Sequence, residues 1–420
     1  MLKEYPEYKE TPAIWIDKIP SSWKSKKVRE LYTERREKVS DKDYEPLSVC
    51  KAGIGPQLED AVKTDNGDNR RLVKKGDFVI NSRSDRKGSS GVSQYDGSVS
   101  LICITLKPIT NENQFFMHYL LRSVPFTEEY YRNGHGLVAD LWTTRYDEMQ
   151  NIFLPIPPIS EQNAIVKYLD YKTKQIDEFV SAKEKEITLL EEFKRSLISD
   201  YVSKGNSQTE MKESGIEWIH KIPKHWKTLM LFQCAEEYFK SNKDIHHQNL
   251  LSLSYGKIKR KDINTKGGLL PESFDNYQVV KKGNIILRLT DLQNDHRSLR
   301  TGLVTETGII TSVYVCIKPR ENVTPEYLHW ILHCCDLHKV FYGIGGGVRQ
   351  SIGYTDISKM YFPIPPLEEQ NVIADYLDKK TSEIDTLISS IQKQVTLVKE
   401  LRTKLIADAV TGKIDVREAV

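Results

Sequence analysis

The sequence predicts a mixed α+β chain in which two homologous globular modules are separated by two long helices that pair as an antiparallel coiled coil, giving an internal pseudo-twofold repeat. Three observations predict this. The segment "LPIPPISEQNAIVKYLDYKT" (Leu154 to Thr173) returns as "FPIPPLEEQNVIADYLDKKT" (Phe362 to Thr381). A spacing of about half the chain marks duplication of a whole unit rather than of a motif. Each copy opens a long proline-free stretch with a heptad stripe, and each is preceded by short apolar runs bounded by turn residues, the pattern of a strand-rich module.

The duplication extends through the modules. "IWIDKIPSSWK" (Ile14 to Lys24) returns as "EWIHKIPKHWK" (Glu217 to Lys227), repeating Trp15 and Trp23 as Trp218 and Trp226. These tryptophans are expected in the core or at docking contacts rather than as base-stacking platforms. "LVKKGDFVI" (Leu72 to Ile80) answers "VVKKGNIIL" (Val279 to Leu287), each a charged turn ending in Gly before a β-branched run, which reads as a hairpin turn entering a buried strand. Lys107-Pro108 before "FFMHYLLRS" and Lys318-Pro319 before "EYLHWILHC" read as a strand end and then a helix. The resulting boundaries are 1–153 for the first module, 154–208 for the first spacer helix, 209–361 for the second module and 362–420 for the second helix.

In the helices, PIPP acts as a stiff lead-in, and Ser160 and Glu161, or Glu368 and Glu369, supply capping or acidic groups to the first turn. The first stripe places Val166, Thr173, Val180, Ile187, Lys194 and Tyr201 at one core position, and Leu169, Ile176, Lys183, Leu190 and Leu197 at the other. The second offers Ala374, Thr381, Ile388, Val395, Arg402 and Ala409, with Leu377, Ile384, Ile391, Val398 and Leu405. Because the second helix must return from the second module, the pair should run antiparallel. The expected alignment puts Val180 opposite Ile391, Ile187 opposite Ile384, Ile176 opposite Val395, and Lys183 near Ile388. Roughly 45 residues at 1.5 Å each span on the order of 65 Å, which would hold the modules apart in opposite orientations, as a split and symmetric DNA site requires.

The chain of 420 residues is 39% hydrophobic and 28% charged, with a net charge of +3. That composition fits two or three domains with real cores and argues against disorder. No apolar run approaches the roughly 18 residues a membrane span needs, and "MLKEYPEYKETP" lacks the hydrophobic stretch of a signal peptide, so a cytoplasmic location without membrane contact is expected. The six cysteines, Cys50, Cys103, Cys234, Cys316, Cys334 and Cys335, sit in apolar surroundings without a C-x-x-C pair and read as reduced core thiols.

The duplicated order of the I-x-W-I-x-K-I-P-x-x-W-type opening and the PIPP-x-x-EQN helix start, with "LSLSYGKIKRKDI" through "LRLTDLQNDHRSLRTGLV", resembles the specificity subunits of type I restriction-modification systems over essentially the whole chain. The resemblance implies two target-recognition domains, each reading one half of a bipartite site in double-stranded DNA. It implies helices that serve as spacer and as docking surface for two methyltransferase subunits. It also implies restriction subunits as partners, with S-adenosylmethionine, ATP and magnesium bound by those partners and no cofactor held by this chain.

The residues themselves agree with a non-catalytic chain. There is no G-x-x-x-x-G-K-[ST] loop and no Asn-Pro-Pro or Asp-Pro-Pro followed by an aromatic. "GIGGGVR" (Gly343 to Arg349) lacks a phosphate loop's lysine and context, and reads as a mobile turn or a DNA-backbone loop. His329 and His333, with His338 nearby, lack identifiable further metal ligands. Two competing classes are a coiled-coil scaffold that binds proteins without reading bases, and a methyltransferase or nuclease with an unrecognised site.

DNA contacts are expected at matching places in both modules. The first offers Lys51 after "PLSVC", and Arg83, Arg86 and Lys87 in the loop "NSRSDRKGSS". The second offers Tyr255, Lys257, Lys259, Arg260 and Lys261, then Arg288, Arg297 and Arg300. Arg349 and Arg145, before the two PIPP segments, are weaker candidates. Different side chains on a repeated scaffold are what two different half-sites require, since side chains read base edges while phosphate contacts mostly position.

Overall fold

The computed structural model describes residues 3–57, 67–136, 142–205, 209–243, 247–263, 273–295, 298–344 and 351–419. The chain forms two compact units, residues 1–184 with 392–420 and residues 185–391. Each unit therefore holds one module, the start of one long helix and the end of the other.

In the first unit, an antiparallel four-stranded sheet runs in the order Ser90–Val92, Phe78–Asn81, Cys103–Pro108, Tyr32–Glu34, and a three-stranded sheet orders Gly97–Val99, Arg70–Val73, Lys38–Val39. Period-two alternation explains the apolar run at 78–80: Phe78 and Ile80 face a large core with Phe116, Leu120, Phe126 and Trp23, while Val79 turns to a smaller core with Val73, Val99 and Leu47. The second unit repeats the device. Ile285 and Leu287 join the core of Trp226, Tyr327 and Ile331, and Ile286 joins Leu251, Ile310 and Cys316.

The "KKG" turns do not close hairpins as expected. Arg70–Val73 pairs with Gly97–Val99 whereas Phe78–Asn81 pairs with Cys103–Pro108, and Tyr277–Val280 and Ile285–Leu287 likewise belong to different sheets. The turn carries the chain between sheets, with Gly76 and Gly283 in the left-handed region at φ 91° and 88°. The next residue fixes it: the Asp77 carboxylate accepts from the Lys74 N–H, as the Asn284 side chain does from the Lys281 N–H. Local pattern identifies the strands, but pairing partners come from afar.

The two repeated motifs of each module meet one another. Phe153–Ile156 pairs antiparallel with Lys24–Lys27, and Tyr361–Ile364 with Lys227–Met230, so the first proline of each PIPP, Pro155 or Pro363, sits in a short two-stranded ribbon where a missing N–H is tolerated. Trp15 donates to the Phe153 carbonyl at 3.0 Å. Glu161 stands in the first turn of its helix, as expected. It is buried and accepts from the Tyr5 hydroxyl at 2.6 Å and the Trp23 indole at 2.9 Å. The following glutamine docks the module helix: Gln162 accepts from the Asn113 N–H at 2.8 Å, and Gln370 from the Thr324 N–H at 2.8 Å. Asn113 and Thr324 are the N-caps of the helices Gln114–Arg122 and Pro325–Leu337.

The long helices span Ile159–Lys204 and Leu367–Val410. Every position of the two heptad stripes is buried or half-buried; among the six alignment residues, Val180, Ile384, Ile391 and Val395 are buried and Ile176 and Ile187 half-buried. The segments run antiparallel within each unit. In the first, Asp177 pairs with Arg402 at 3.1 Å and Glu184 with Lys399 at 2.8 Å. In the second, Lys194 pairs with Asp385 at 2.5 Å and Tyr201 stacks on Tyr376 at 4.2 Å.

These contacts correct the expected alignment, which would have set Asp177 opposite Gln394 and Lys194 opposite Leu377. The partners lie about one heptad further along. A heptad stripe matches itself after a seven-residue slip, so apolar periodicity leaves register open. The observed register gives the charges at two seam positions, Lys194 and Arg402, an aspartate each. Lys183 lies with its ammonium 5.9 Å from the Phe179 ring. Cys50, expected among core thiols, is exposed, while the other five are buried; all six are free.

Candidate nucleic-acid interface

Among the two-stranded hairpins of the described residues, one in each module stands over a cleft. The first pairs Leu47–Cys50 with Gly53–Pro56 around Lys51 and Ala52; the second pairs Leu251–Ser254 with Lys257–Arg260 around Tyr255 and Gly256. Tyr255 and Gly256 both have positive φ, 48° and 74°, as a two-residue turn matched to strand twist requires. Tyr255 is 85% exposed. Strand alternation sorts the second hairpin's residues: Leu253 and Ile258 pack on the small core, while Lys257 and Lys259 face a cleft.

A cleft lies under each hairpin. That of the first unit, about 560 Å³, is lined by Lys51, His118, Tyr119, Arg122, Asp170 and Arg402. That of the second, about 510 Å³, is lined by Tyr255, Lys257, His329, Trp330, His333, Asp378, Lys194 and Asp385. Corresponding places carry corresponding bonds, with the Tyr119 hydroxyl donating to Asp170 at 2.7 Å and the Trp330 indole to Asp378 at 2.9 Å.

Most of the other expected DNA-facing cations already meet carboxylates. Lys87 pairs with Glu128 at 2.5 Å, Arg83 with Asp85 at 3.4 Å and Arg86 with the same carboxylate at 3.9 Å. Arg260 pairs with Glu306, Lys257 with Asp385 at 3.8 Å and Arg288 with Asp295 at 3.3 Å. Lys259 and Lys261 are exposed. Arg83 and Arg145 come together in a further cleft of about 570 Å³ with Arg36 and Arg71, two arginines that motif reading passed over because they lie in a turn-flanking "RR" and a strand. Arg297 and Arg349 lie outside the described residues.

Arg300 is a correction. Its side chain is fully buried and donates to the carbonyls of Thr290, at 2.8 Å, and Asp295, while its own N–H is held by Asp336 at 2.6 Å. The residue immediately precedes the strand Thr301–Leu303, which turns it inward, so it braces the loop from Arg288 instead of reaching DNA. Its place in the first module, before Ser90–Val92, is taken by Ser89.

A family model described as the type I restriction modification DNA specificity domain matches residues 20–221 and 253–397. The chain belongs to this family. The specificity subunit is 24% identical over 431 residues to the putative type I restriction enzyme MjaX specificity subunit of Methanocaldococcus jannaschii, covering 96% of each chain. It is 23% identical to the MjaVIII specificity subunit of the same organism, covering 79% of this chain and 78% of that one. Two solved structures share its fold. A chain from work on complex assembly and conformational transition of the type I R-M system matches with TM-score 0.68 at 13% identity, over 94% of this chain and 99% of that one. The HsdS subunit from Thermoanaerobacter tengcongensis matches with TM-score 0.53 at 15% identity, over 94% and 98%.

Electrostatics distinguish the subunit's two clefts. Burial, reinforced by Arg122, pushes His118 down to about 4. Burial alone brings His329 to about 4, and burial with His329 and Lys194 brings His333 to about 3, so all three imidazoles are neutral at pH 7. Arg122 is lowered by burial and by the neighbouring Arg402. Among the described residues no group of three or more His, Cys, Asp or Glu is placed to hold a metal, and no helix is long and apolar enough to cross a membrane.

Proposed function

We infer that this specificity subunit reads a bipartite site in duplex DNA, one half-site per module, and that the two hairpins make the base contacts. The observation that carries the reading is a shared scaffold with unlike tips: both hairpins stand at corresponding places over corresponding clefts, yet one presents Lys51 and the other Tyr255, Lys257 and Lys259. A scaffold that only bound proteins would have no reason to place basic, exposed turns at both positions. Transplanting residues 250–261 from a relative of different specificity, followed by methylome sequencing, tests it. The second half of the recognised site should change and the first should not; an unchanged motif would place base reading elsewhere.

The long helices carry the partner-binding role in this reading. Large apolar side chains are exposed at repeat-related positions, Phe179 with Leu387, Leu189 with Leu397 and Phe193 with Leu401. Repeated exposed apolar positions suit two copies of one partner, here the methyltransferase subunits. The restriction subunits join that assembly, and the complex acts in the cytoplasm. The chain itself is non-catalytic, with S-adenosylmethionine, ATP and magnesium on the partners. Methyl transfer by the purified chain alone would overturn this division of labour.

A further inference from the structure

Arg122 makes an unusual use of a guanidinium. It closes the helix Gln114–Arg122, lies half-buried in the cleft under the first hairpin, and meets no carboxylate among the described residues. Its Nη2 donates to the Lys51 carbonyl at 2.5 Å, its Nη1 lies 2.8 Å from His118 Nε2, and its Nε is buried without a partner. His118 in turn accepts from the Val92 N–H at 3.2 Å, next to Gly91, where an added Cβ would lie 3.4 Å from the Gly53 Cα. Arg402 adds a second positive charge nearby. Holding a half-buried cation beside another cation is unfavourable unless its donors are used, and here the use is a backbone carbonyl at a hairpin tip.

We propose that Arg122 is a positioning residue for the first half-site, holding the tip at Lys51 in its reading orientation without touching DNA. The inference rests on the reading that the hairpins contact bases. The second module does this differently: His333, at the corresponding helix position, faces Thr301 Oγ1 at 3.4 Å, and its hairpin is approached by Asp385 through Lys257. Arg122 therefore acts on one half-site only.

The test uses the complex reconstituted with its methyltransferase subunits, on its methylome-defined site and on duplexes altered in one half at a time, across a salt series. Loss of one charge-assisted bond to the tip should lower discrimination against first-half changes about tenfold in R122M, with second-half discrimination and salt slope unchanged. A phosphate contact would instead weaken all duplexes alike and reduce the salt slope by about one, and that result overturns the proposal. R122K keeps the charge but not the planar fork, so it should show a partial first-half loss; it also serves if R122M does not fold. Full first-half discrimination in R122K overturns the proposal as well. A tip exchange at Lys51 and Ala52 separates the two layers. If the exchange leaves first-half recognition intact, the hairpin reading fails; if it changes recognition while R122M and R122K do not, only the positioning role fails.

Discussion

The first and second hairpins show how one scaffold is kept while its tips diverge. What repeats is buried: Trp23 and Trp226, Gln162 and Gln370, and the strand whose two faces enter two cores. What differs lies at the ends of strands. The first tip is gripped through a backbone carbonyl by Arg122, and its neighbouring loop from Asn81 to Ser89 is short. The second tip carries an exposed tyrosine, and its loop from Arg288 is longer and filled from inside by Arg300. Packing constrains the interior to a narrow set of shapes, while a tip needs only a hold, and several kinds of side chain provide one.

The largest expected effect tests whether the halves are independent. Adding one heptad to the first long helix between Val180 and Ile187, and one to the second between Ile391 and Val398, keeps Asp177–Arg402 and Lys194–Asp385 intact. At about 10 Å of added length and roughly 3.4 Å per base pair, the recognised gap should grow by about three base pairs while both half-sites stay as they were. Methylation at the original spacing would show that the helices do not set it. The added DNA twist must be absorbed by bending, so activity should fall.

Removing Arg300 should act only on the second module. R300A leaves the Thr290 and Asp295 carbonyls without their donor and removes a buried cation 3.8 Å from the Asp295 carboxylate, while the backbone N–H to Asp336 stays, a cost on the order of 3 to 5 kcal/mol for breaking a buried charged network. Peptide-resolved hydrogen exchange should show loosening in residues 185–391 and none in the first module. A folded second module with altered base preference would restore Arg300 as a reading residue.

The two glutamines sharpen the symmetric side of the comparison. Q162L and Q370L each strand a helix-capping N–H in their own unit, so each should cost about 1 to 3 kcal/mol, by similar amounts, in denaturant unfolding followed unit by unit. Unequal costs would mean that the repeated motif is not doing the same job twice.

Acid should separate the units more gently. Burial lowers His118 in the first unit to about 4, and His329 and His333 in the second to about 4 and 3. Because the folded values lie below the unfolded value near 6.5, the unfolded chain takes up protons first, and stability falls as pH drops below about 6.5. Above the carboxylate range, where Asp336 and Asp378, both raised by burial, begin to offset the loss, the second unit should lose about 1 to 2 kcal/mol more than the first. Hydrogen exchange between pH 7 and 5 measures this, and H333N should shrink the difference.

Much of this was legible in residues alone, for reasons of period. A heptad stripe without proline dictates a helix and which face it buries, and a duplicated order of motifs dictates two like modules joined by two helices. Family resemblance, carried by those same motifs, led to DNA specificity. Periodic patterns are silent about translation, so the register of the long helices was decided only where Lys194 and Arg402 found Asp385 and Asp177. They are equally silent about partners. That the "KKG" turns cross between sheets, that Glu161 holds Tyr5 and Trp23, and that Arg122 reaches back to Lys51 all depend on contacts between residues far apart in sequence. An arginine in a sequence announces a charge. Whether that charge meets solvent, as at Arg86, or fills the inside of a loop, as at Arg300, is determined by which neighbours the folded chain brings to it.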